Sequence, residues 1–170
     1  MCDNSLATKK GIIVTAIILV AITGLSFLVW LIPQNNEIKF VITDYRAHLD
    51  NVKEIHATIQ TGVDKEFQNL LNEEITPKEY IEIAEVSSSQ ITSQIMILVE
   101  SKAPSEWHES YLNYIESLQK FNLQIRETIV VATMMSEGKE SSEIQESLEK
   151  IDLLKKDSKT LAVASDEARP

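Results

Sequence analysis

The chain is poor in the residues that build disulfide-linked or loop-rich folds. Its 170 residues include one cysteine, Cys2, together with four glycines and four prolines. A single cysteine excludes an internal disulfide, and so few glycines and prolines argue against a fold made of many tight turns. Aromatic residues make up only 6% of the chain. These shortages, with an abundance of Ile, Leu, Glu, Lys, Ser and Gln, predict long α-helices.

Positive charge is also scarce. The chain has 16 Lys and Arg residues against 26 Asp and Glu residues, which gives a net charge of −10. Residues 33–170 alone carry 14 basic against 25 acidic residues, a net charge of −11. Because a surface of this sign repels phosphate backbones, we expect no nucleic-acid partner.

Sequence signatures of metal and catalytic sites are missing as well. In a di-iron helical bundle, a glutamate stands three positions before each ligating histidine. In this chain the residues three positions before the histidines are Tyr45, Lys53 and Ser105. The sequence also has no nucleophile elbow, phosphate loop or calcium loop. It therefore predicts a non-enzymatic protein without metal, cofactor or catalytic residues.

One long apolar run is present, residues 11–32, GIIVTAIILVAITGLSFLVWLI. It holds 22 residues without a charged side chain. As an α-helix rising about 1.5 Å per residue, it covers roughly 33 Å, enough for a hydrocarbon core of about 30 Å. The run therefore predicts a transmembrane helix that anchors the chain in the lipid bilayer.

The residues flanking this run predict its orientation. Lys9 and Lys10 end a short lead, residues 1–10, and by the positive-inside rule the lead is cytoplasmic. Trp30 lies at the outer end, where indole rings favour the headgroup region. Pro33 ends the span, and residues 33–36 form a juxtamembrane hinge. We therefore expect a single-pass plasma-membrane protein with its C-terminal domain outside the cytoplasm.

Two other interpretations of the apolar run involve cleavage. A secretory signal peptide has a shorter core of about 7–15 apolar residues and a small-residue exit, for which Ala21-Ile22-Thr23 is a poor candidate. The sequence Lys9-Lys10-Gly11 resembles the processing site of archaeal type IV pilin-like precursors, cut near Lys10-Gly11. In bacterial pilins the fifth mature residue is a glutamate, and here that position would be Ala16. An uncleaved anchor is the preferred interpretation.

Residues 37–164 predict a helical bundle, because apolar side chains recur every three or four positions. Thr76-Pro77-Lys78-Glu79 and Ser142-Glu143-Ile144-Gln145 each predict a capping box, and Ala103-Pro104 predicts a turn. Residues 165–170 lack an apolar face and should fray. The predicted helices span residues 37–72, 77–102, 105–137 and 142–163. With short loops they form an all-α, up-down-up-down antiparallel four-helix bundle.

The third predicted helix has the most regular inward series, with alternating spacings of four and three residues. Such spacing is typical of a helix packed along its whole length. The series is Trp107, Tyr111, Tyr114, Leu118, Phe121, Ile125, Thr128, Ala132 and Met135. Elsewhere, Gly62 inside the first predicted helix indicates a bend. The run Ser87-Ser88-Ser89 inside the second indicates a close helix approach and, less often, a hydrogen-bonding cavity.

An aromatic group is the only pocket candidate in the sequence. Tyr45, Trp107, Tyr111 and Tyr114 could line a small-molecule site near the base of the bundle. Tyr and Trp also fill cores while keeping one polar tip hydrogen-bonded, and we expect core filling here. A cavity of a few hundred Å³ at Tyr111 and Tyr114 would favour ligand binding.

The anchor, the Ile/Glu/Lys/Ser-rich domain and the stretch APSEWHESYLNYIESLQKFN resemble uncharacterised single-span archaeal membrane proteins with a helical extracytoplasmic domain. This resemblance implies a membrane location and no particular chemistry. The sequence thus predicts an interaction or structural module with a protein partner or a second copy of itself. The alternative is a ligand-sensing bundle, similar to chemoreceptor sensor domains, that works through a separate signalling partner.

Overall fold

The computed structural model describes residues 44–170. The predicted lead, membrane span and hinge, and residues 37–43 of the first predicted helix, lie outside the described residues. The prediction that this helix continues through Asp44 is wrong, because Asp44 has an extended backbone and caps a helix that begins at Tyr45. The described part is all-helical and contains no strand. Its helices are α1 (Tyr45–Leu71), α2 (Pro77–Glu100), α3 (Ser105–Ser136) and α4 (Ser141–Glu167). They pack around one apolar core, which confirms the predicted all-helical class and the four-helix bundle.

None of these four helices is both long enough and apolar enough to cross a membrane.

The helix starts follow their local sequence signals in two cases. The Asp44 side chain accepts a hydrogen bond from the Ala47 backbone N–H at 2.9 Å and so caps α1. The capping box predicted at Thr76 and Glu79 is present, with Pro77 as the first helical residue. There the Glu79 carboxylate accepts hydrogen bonds from the backbone N–H and hydroxyl of Thr76, which lower the pKa of Glu79.

The capping box predicted at Ser142 is wrong. Helix α4 begins at Ser141, with Glu140 as its N-cap and no side-chain hydrogen bond to the first turn. The sequence offers two adjacent serines at this point, and the structure includes both in the helix. A serine that precedes a glutamate is therefore not sufficient to place a helix start.

The frayed tail predicted for residues 165–170 is also wrong. Helix α4 continues to Glu167, and Ser165 is fully buried. The Ser110 hydroxyl donates a hydrogen bond to the Ser165 carbonyl oxygen at 2.7 Å, and the Arg169 guanidinium pairs with Asp50 at 2.7 Å. The tail was predicted to fray because it lacks an apolar stripe. At this interface the buried residue is the small, polar Ser165, and a search for large apolar residues does not detect such a position.

Side-chain contacts show that consecutive helices run in opposite directions. The ring centroids of Phe67, near the end of α1, and Tyr80, near the start of α2, lie 5.5 Å apart. The Tyr80 hydroxyl donates to Thr128 Oγ1, late in α3, at 2.6 Å. Helices α3 and α4 are likewise antiparallel, since early residues of α3 contact late residues of α4. Helix α3 touches all three other helices and forms the centre of the bundle.

The core follows the predicted inward series of α3. Eight of its nine residues, from Trp107 to Ala132, are buried, and Met135 is half-buried. From α1 the core receives Leu49, Val52, Val63, Phe67 and Leu70, and from α2 it receives Tyr80, Ala84, Ile91 and Leu98. Helix α4 contributes less apolar surface, with Ile151 as its buried apolar residue.

Two serine pairs bring α3 and α4 close together. Ser110 lies against Ser165, and Ser117 lies against Ser158, one heptad along each helix. A hydroxyl reaches the backbone carbonyl of the opposite helix only when the two backbones are near each other. At these two levels the α3–α4 interface is therefore built from small residues and interhelical hydrogen bonds, while Ile144, Leu148 and Ile151 of α4 pack in or against the apolar core.

Long charged side chains connect α1 and α4, whose backbones do not approach as closely. Lys53 pairs with Asp166, and Lys155 Nζ lies 2.7 Å from a carboxylate oxygen of Asp64. Exposed ion pairs of this kind contribute about 0–1 kcal/mol each. They therefore add little to the stability of the bundle.

Candidate functional site

The structure gathers three of the four predicted aromatic residues at one end of the bundle. The Tyr45 and Trp107 rings each meet the Tyr111 ring edge to face, with centroids 6.1 and 6.3 Å apart. Trp107 and Tyr111 are buried, whereas Tyr45 is half-buried. Tyr114 lies further along α3 and contacts a different neighbour, His56.

The hydroxyl groups of Tyr111 and Tyr114, the buried tyrosines among the four predicted aromatic residues, are engaged within the chain. The Tyr111 hydroxyl donates to the Tyr45 carbonyl oxygen at 3.0 Å and lies 2.9 Å from His48 Nδ1. The Tyr114 hydroxyl lies 2.8 Å from His56 Nδ1. Burial raises the pKa of Tyr111 to about 12 and also raises the pKa of Tyr114. Both phenols are therefore neutral, and their hydrogen bonds position side chains within the core.

His56 is the most unusual polar residue of the interior. It is 7% exposed, and its ring lies 4.7 Å from the Phe121 ring, centroid to centroid. Burial lowers the pKa of His56 to about 4. Among the described residues, its Nε2 has no hydrogen-bond partner. Lys53 places its ammonium 4.9 Å from the centre of the Tyr114 ring, the same ring whose hydroxyl contacts His56.

The ligand-sensing alternative depends on a chamber at Tyr111 and Tyr114. Tyr111 borders a depression of about 330 Å³ that opens to the surface between α2 and α3, next to His108 and Leu112. Tyr114 does not line this depression. Within residues 44–170, no three His, Cys, Asp or Glu side chains come together in a way that could hold a metal ion.

A larger depression lies between α1 and α2, on the other side of the bundle. It has a volume of about 760 Å³. A second depression of about 580 Å³ adjoins it and shares Ile83 and Ser87 with it. We refer to the two together as the α1/α2 groove. Its lining residues are Asn51, Glu54, Ile55, Thr58, Ile59, Gly62, Glu66, Ile75, Glu79, Glu82, Ile83, Val86, Ser87, Gln90, Ser93 and Gln94.

The α1/α2 groove combines an apolar floor with acidic edges. Ile55 and Ile59 from α1 are half-buried, and Ile83 and Val86 from α2 are 38% and 60% exposed. Four carboxylates lie along it: Glu54, Glu66, Glu79 and Glu82. No lysine or arginine is among the described residues that line it. The groove can therefore accept an apolar surface bordered by positive charge.

Sequence patterns gave only a faint signal for this groove. Gly62 suggested a bend, and the serine run suggested a close helix approach or, less often, a cavity. In the structure Gly62 and Ser87 line the groove, and Ser88 donates a hydrogen bond across to Asn122 of α3. A hydrophobic pattern identifies the residues that face the core, and the groove is made by residues beside that stripe. Its shape depends on the separation of α1 and α2, which no single helix encodes.

The predicted anchor residues Lys9, Lys10, Trp30 and Pro33 lie outside the described residues. Comparison with known proteins finds no matching family model, no similar curated protein and no similar solved structure. The resemblance to archaeal single-span membrane proteins therefore stays a prediction.

Proposed function

We propose that this protein is a membrane-anchored helical bundle, displayed outside the cytoplasm, that binds other proteins and carries out no catalysis. In this proposal the apolar run at residues 11–32 is the anchor. The bundle formed by α1 to α4 is the binding module. Its acidic surface keeps it away from nucleic acid and from other anionic partners.

The observation that supports an interaction role is the α1/α2 groove. Its depressions of about 760 and 580 Å³ leave apolar side chains open to solvent along two adjacent helices. Exposed apolar surface rimmed by polar residues is typical of protein interaction sites. Tyr111 and Tyr114, by contrast, use their hydroxyls for contacts within the chain, as core residues do.

The proposed orientation can be tested with the single native cysteine. Cys2 lies in the predicted cytoplasmic lead, and Ser142→Cys adds a thiol at an exposed position of α4. In intact cells, a membrane-impermeant maleimide should label the introduced thiol of this variant, whereas Cys2 should react only after the membrane is opened. Labelling of Cys2 alone in intact cells would reverse the orientation. A chain released by carbonate washing would exclude the anchor.

The interaction role can be tested by chemical cross-linking of the full chain in its own membrane. The described domain carries exposed lysines on several faces, so an amine-reactive reagent can capture a neighbour bound in most orientations. We expect covalent species heavier than the 19.2 kDa chain. Recovery of the uncross-linked chain alone, at reagent levels that capture a known complex in the same membrane, would contradict the proposal.

A further inference from the structure

The α1/α2 groove has the length of a short helix. On α2 its lining extends from Glu79 to Gln94, a stretch of 16 residues. At about 1.5 Å per residue this stretch measures roughly 24 Å, which matches a partner helix of about four turns. Small-molecule sites are usually closed around their ligand, whereas this groove is open along its side. Its form suits an elongated occupant.

The charges of the groove define the chemistry of that occupant. Glu54 on α1 lines the larger depression and Glu82 on α2 lines the adjoining one, and neither is in a salt bridge with another described residue. Unpaired carboxylates on both edges attract cationic side chains. A second copy of this chain fits poorly, because residues 33–170 carry a net charge of −11.

Gly62 adds a separate observation. A glycine inside a helix costs about 0.5–1 kcal/mol relative to alanine. A Cβ added at Gly62 would meet no atom of residues 44–170 within 4 Å, so the packing of the described bundle does not require a glycine there. The residue lines the groove and leaves the α1 backbone accessible to a closely packed partner.

We propose that the α1/α2 groove is the docking site for a basic amphipathic helix of a partner protein. The partner's apolar stripe packs on Ile55, Ile59 and Ile83, and its flanking lysines or arginines pair with Glu54 and Glu82. This helix-in-groove arrangement is a recurring mode of peptide recognition. The inference rests on the proposed interaction function and names its surface and the chemistry of its partner.

The test uses the full chain in nanodiscs of neutral lipid, with empty nanodiscs as the blank. The probes are two fluorescein-labelled, stapled 16-residue helices that share one leucine stripe, the first flanked by lysines and the second by glutamates. Anisotropy gives the dissociation constants. We expect the lysine helix to bind at least about tenfold more tightly than the glutamate helix. Equal binding of the two, or no binding of the lysine helix, would overturn the proposal.

Matched charge variants test whether the lysine helix binds in the groove. The double variant Glu54→Lys with Glu82→Lys should weaken binding of the lysine helix about tenfold or more, because both edges of the groove become repulsive. Its control, Glu116→Lys with Glu149→Lys, changes the net charge equally at exposed positions on α3 and α4 and should shift binding less than about twofold. Equal losses of affinity in the two double variants would show non-specific attraction to an acidic surface and would refute the groove as the binding site.

A steric pair checks the same site without a change of charge. Gly62→Leu fills the groove, whereas Ala57→Leu adds the same side chain to the opposite, exposed face of α1. Only the first should weaken binding. Cross-linking in membranes distinguishes failure of the groove from failure of the interaction function. If the cross-linked species persist in the Glu54/Glu82 and Gly62 variants, the interaction function stands, but the groove is not the interaction site. If the native chain gives no cross-linked species, the interaction function fails. The peptide measurements still show whether the groove binds a basic helix.

Discussion

Ser117 and Ser158 exchange hydrogen bonds across the α3–α4 interface. The Ser117 hydroxyl donates to the Ser158 carbonyl oxygen at 2.8 Å, and the Ser158 hydroxyl donates to the Ser117 carbonyl oxygen at 2.9 Å. Each carbonyl is already an acceptor within its own helix, so it takes an additional donor from the neighbour. Both serines are almost fully buried, and their hydroxyl oxygens lie 3.2 Å apart.

We expect Ser117→Leu to destabilise the bundle by about 1–3 kcal/mol or more, because an overpacked interface forces α3 and α4 apart. Ser117→Ala should cost only about 1 kcal/mol, since it removes a hydrogen bond and keeps the close approach. Urea unfolding followed by circular dichroism measures both. A leucine variant as stable as the alanine variant would show that the interface is looser than the hydrogen bonds indicate.

Leu118→Asp should prevent folding of the bundle. Leu118 is completely buried at the centre of α3, and an aspartate there would place an unpaired carboxylate in the core. Leu123→Asp is the matched control, because Leu123 lies on the same helix and is 47% exposed. The control should change stability by less than about 0.5 kcal/mol. Retention of the full helical signal and melting temperature by Leu118→Asp would refute the packing described for α3.

The stability of the bundle should fall as the pH drops from 6.5 towards 4. Burial lowers the pKa of His56 from 6.5 to about 4, so across this window the unfolded chain binds a proton that the folded chain does not. At about 1.4 kcal/mol per pKa unit, the loss attributable to His56 is about 3 kcal/mol. Above pH 6.5 this contribution should be constant.

The pH dependence is measured by urea unfolding at pH 7 and pH 4.5 with His56→Gln as the test variant. Removing the titrating group should reduce the difference between the two pH values. His108→Gln is the control, because His108 is exposed on α3. Equal pH dependence in the native chain and in His56→Gln would show that other groups cause the acid sensitivity.

Two glycines should respond in opposite directions to the same substitution. Gly62→Ala should stabilise the bundle by up to about 1 kcal/mol, because the added methyl group meets no atom of the described bundle within 4 Å and alanine favours the helix. Gly138→Ala should destabilise it, because Gly138 has a φ of +66°, which alanine adopts only with strain. Thermal unfolding of the two variants under identical conditions measures the contrast. Stabilisation by both would contradict the backbone geometry at Gly138.

Apolar periodicity was sufficient to predict the helices and most of the core. The third helix shows why: its inward residues from Trp107 to Ala132 are large, regularly spaced and buried as expected. Periodicity failed at the end of α4, where Ser165 replaces a large apolar residue. A serine carries no hydrophobic signal, and its suitability for the interface depends on the opposite helix, here Ser110.

The candidate site was much harder to predict. The aromatic residues were visible in the sequence, but their hydrogen bonds to His48 and His56 depend on the relative positions of α1 and α3. The α1/α2 groove is formed by residues at the edge of two amphipathic faces, such as Glu54 and Glu82. Such residues have the composition of an ordinary solvated surface, and only the packing of the two helices makes them neighbours.

The order of the helices has a consequence for how quickly the domain assembles. Each helix packs against the next one along the chain, so most tertiary pairing closes only short loops. Chains rich in local contacts typically reach the native state within microseconds to milliseconds. Stopped-flow or temperature-jump refolding of residues that include α1 to α4 should therefore give relaxation times in that range, and fast closure of the α3–α4 hairpin would leave the nascent chain little time to aggregate.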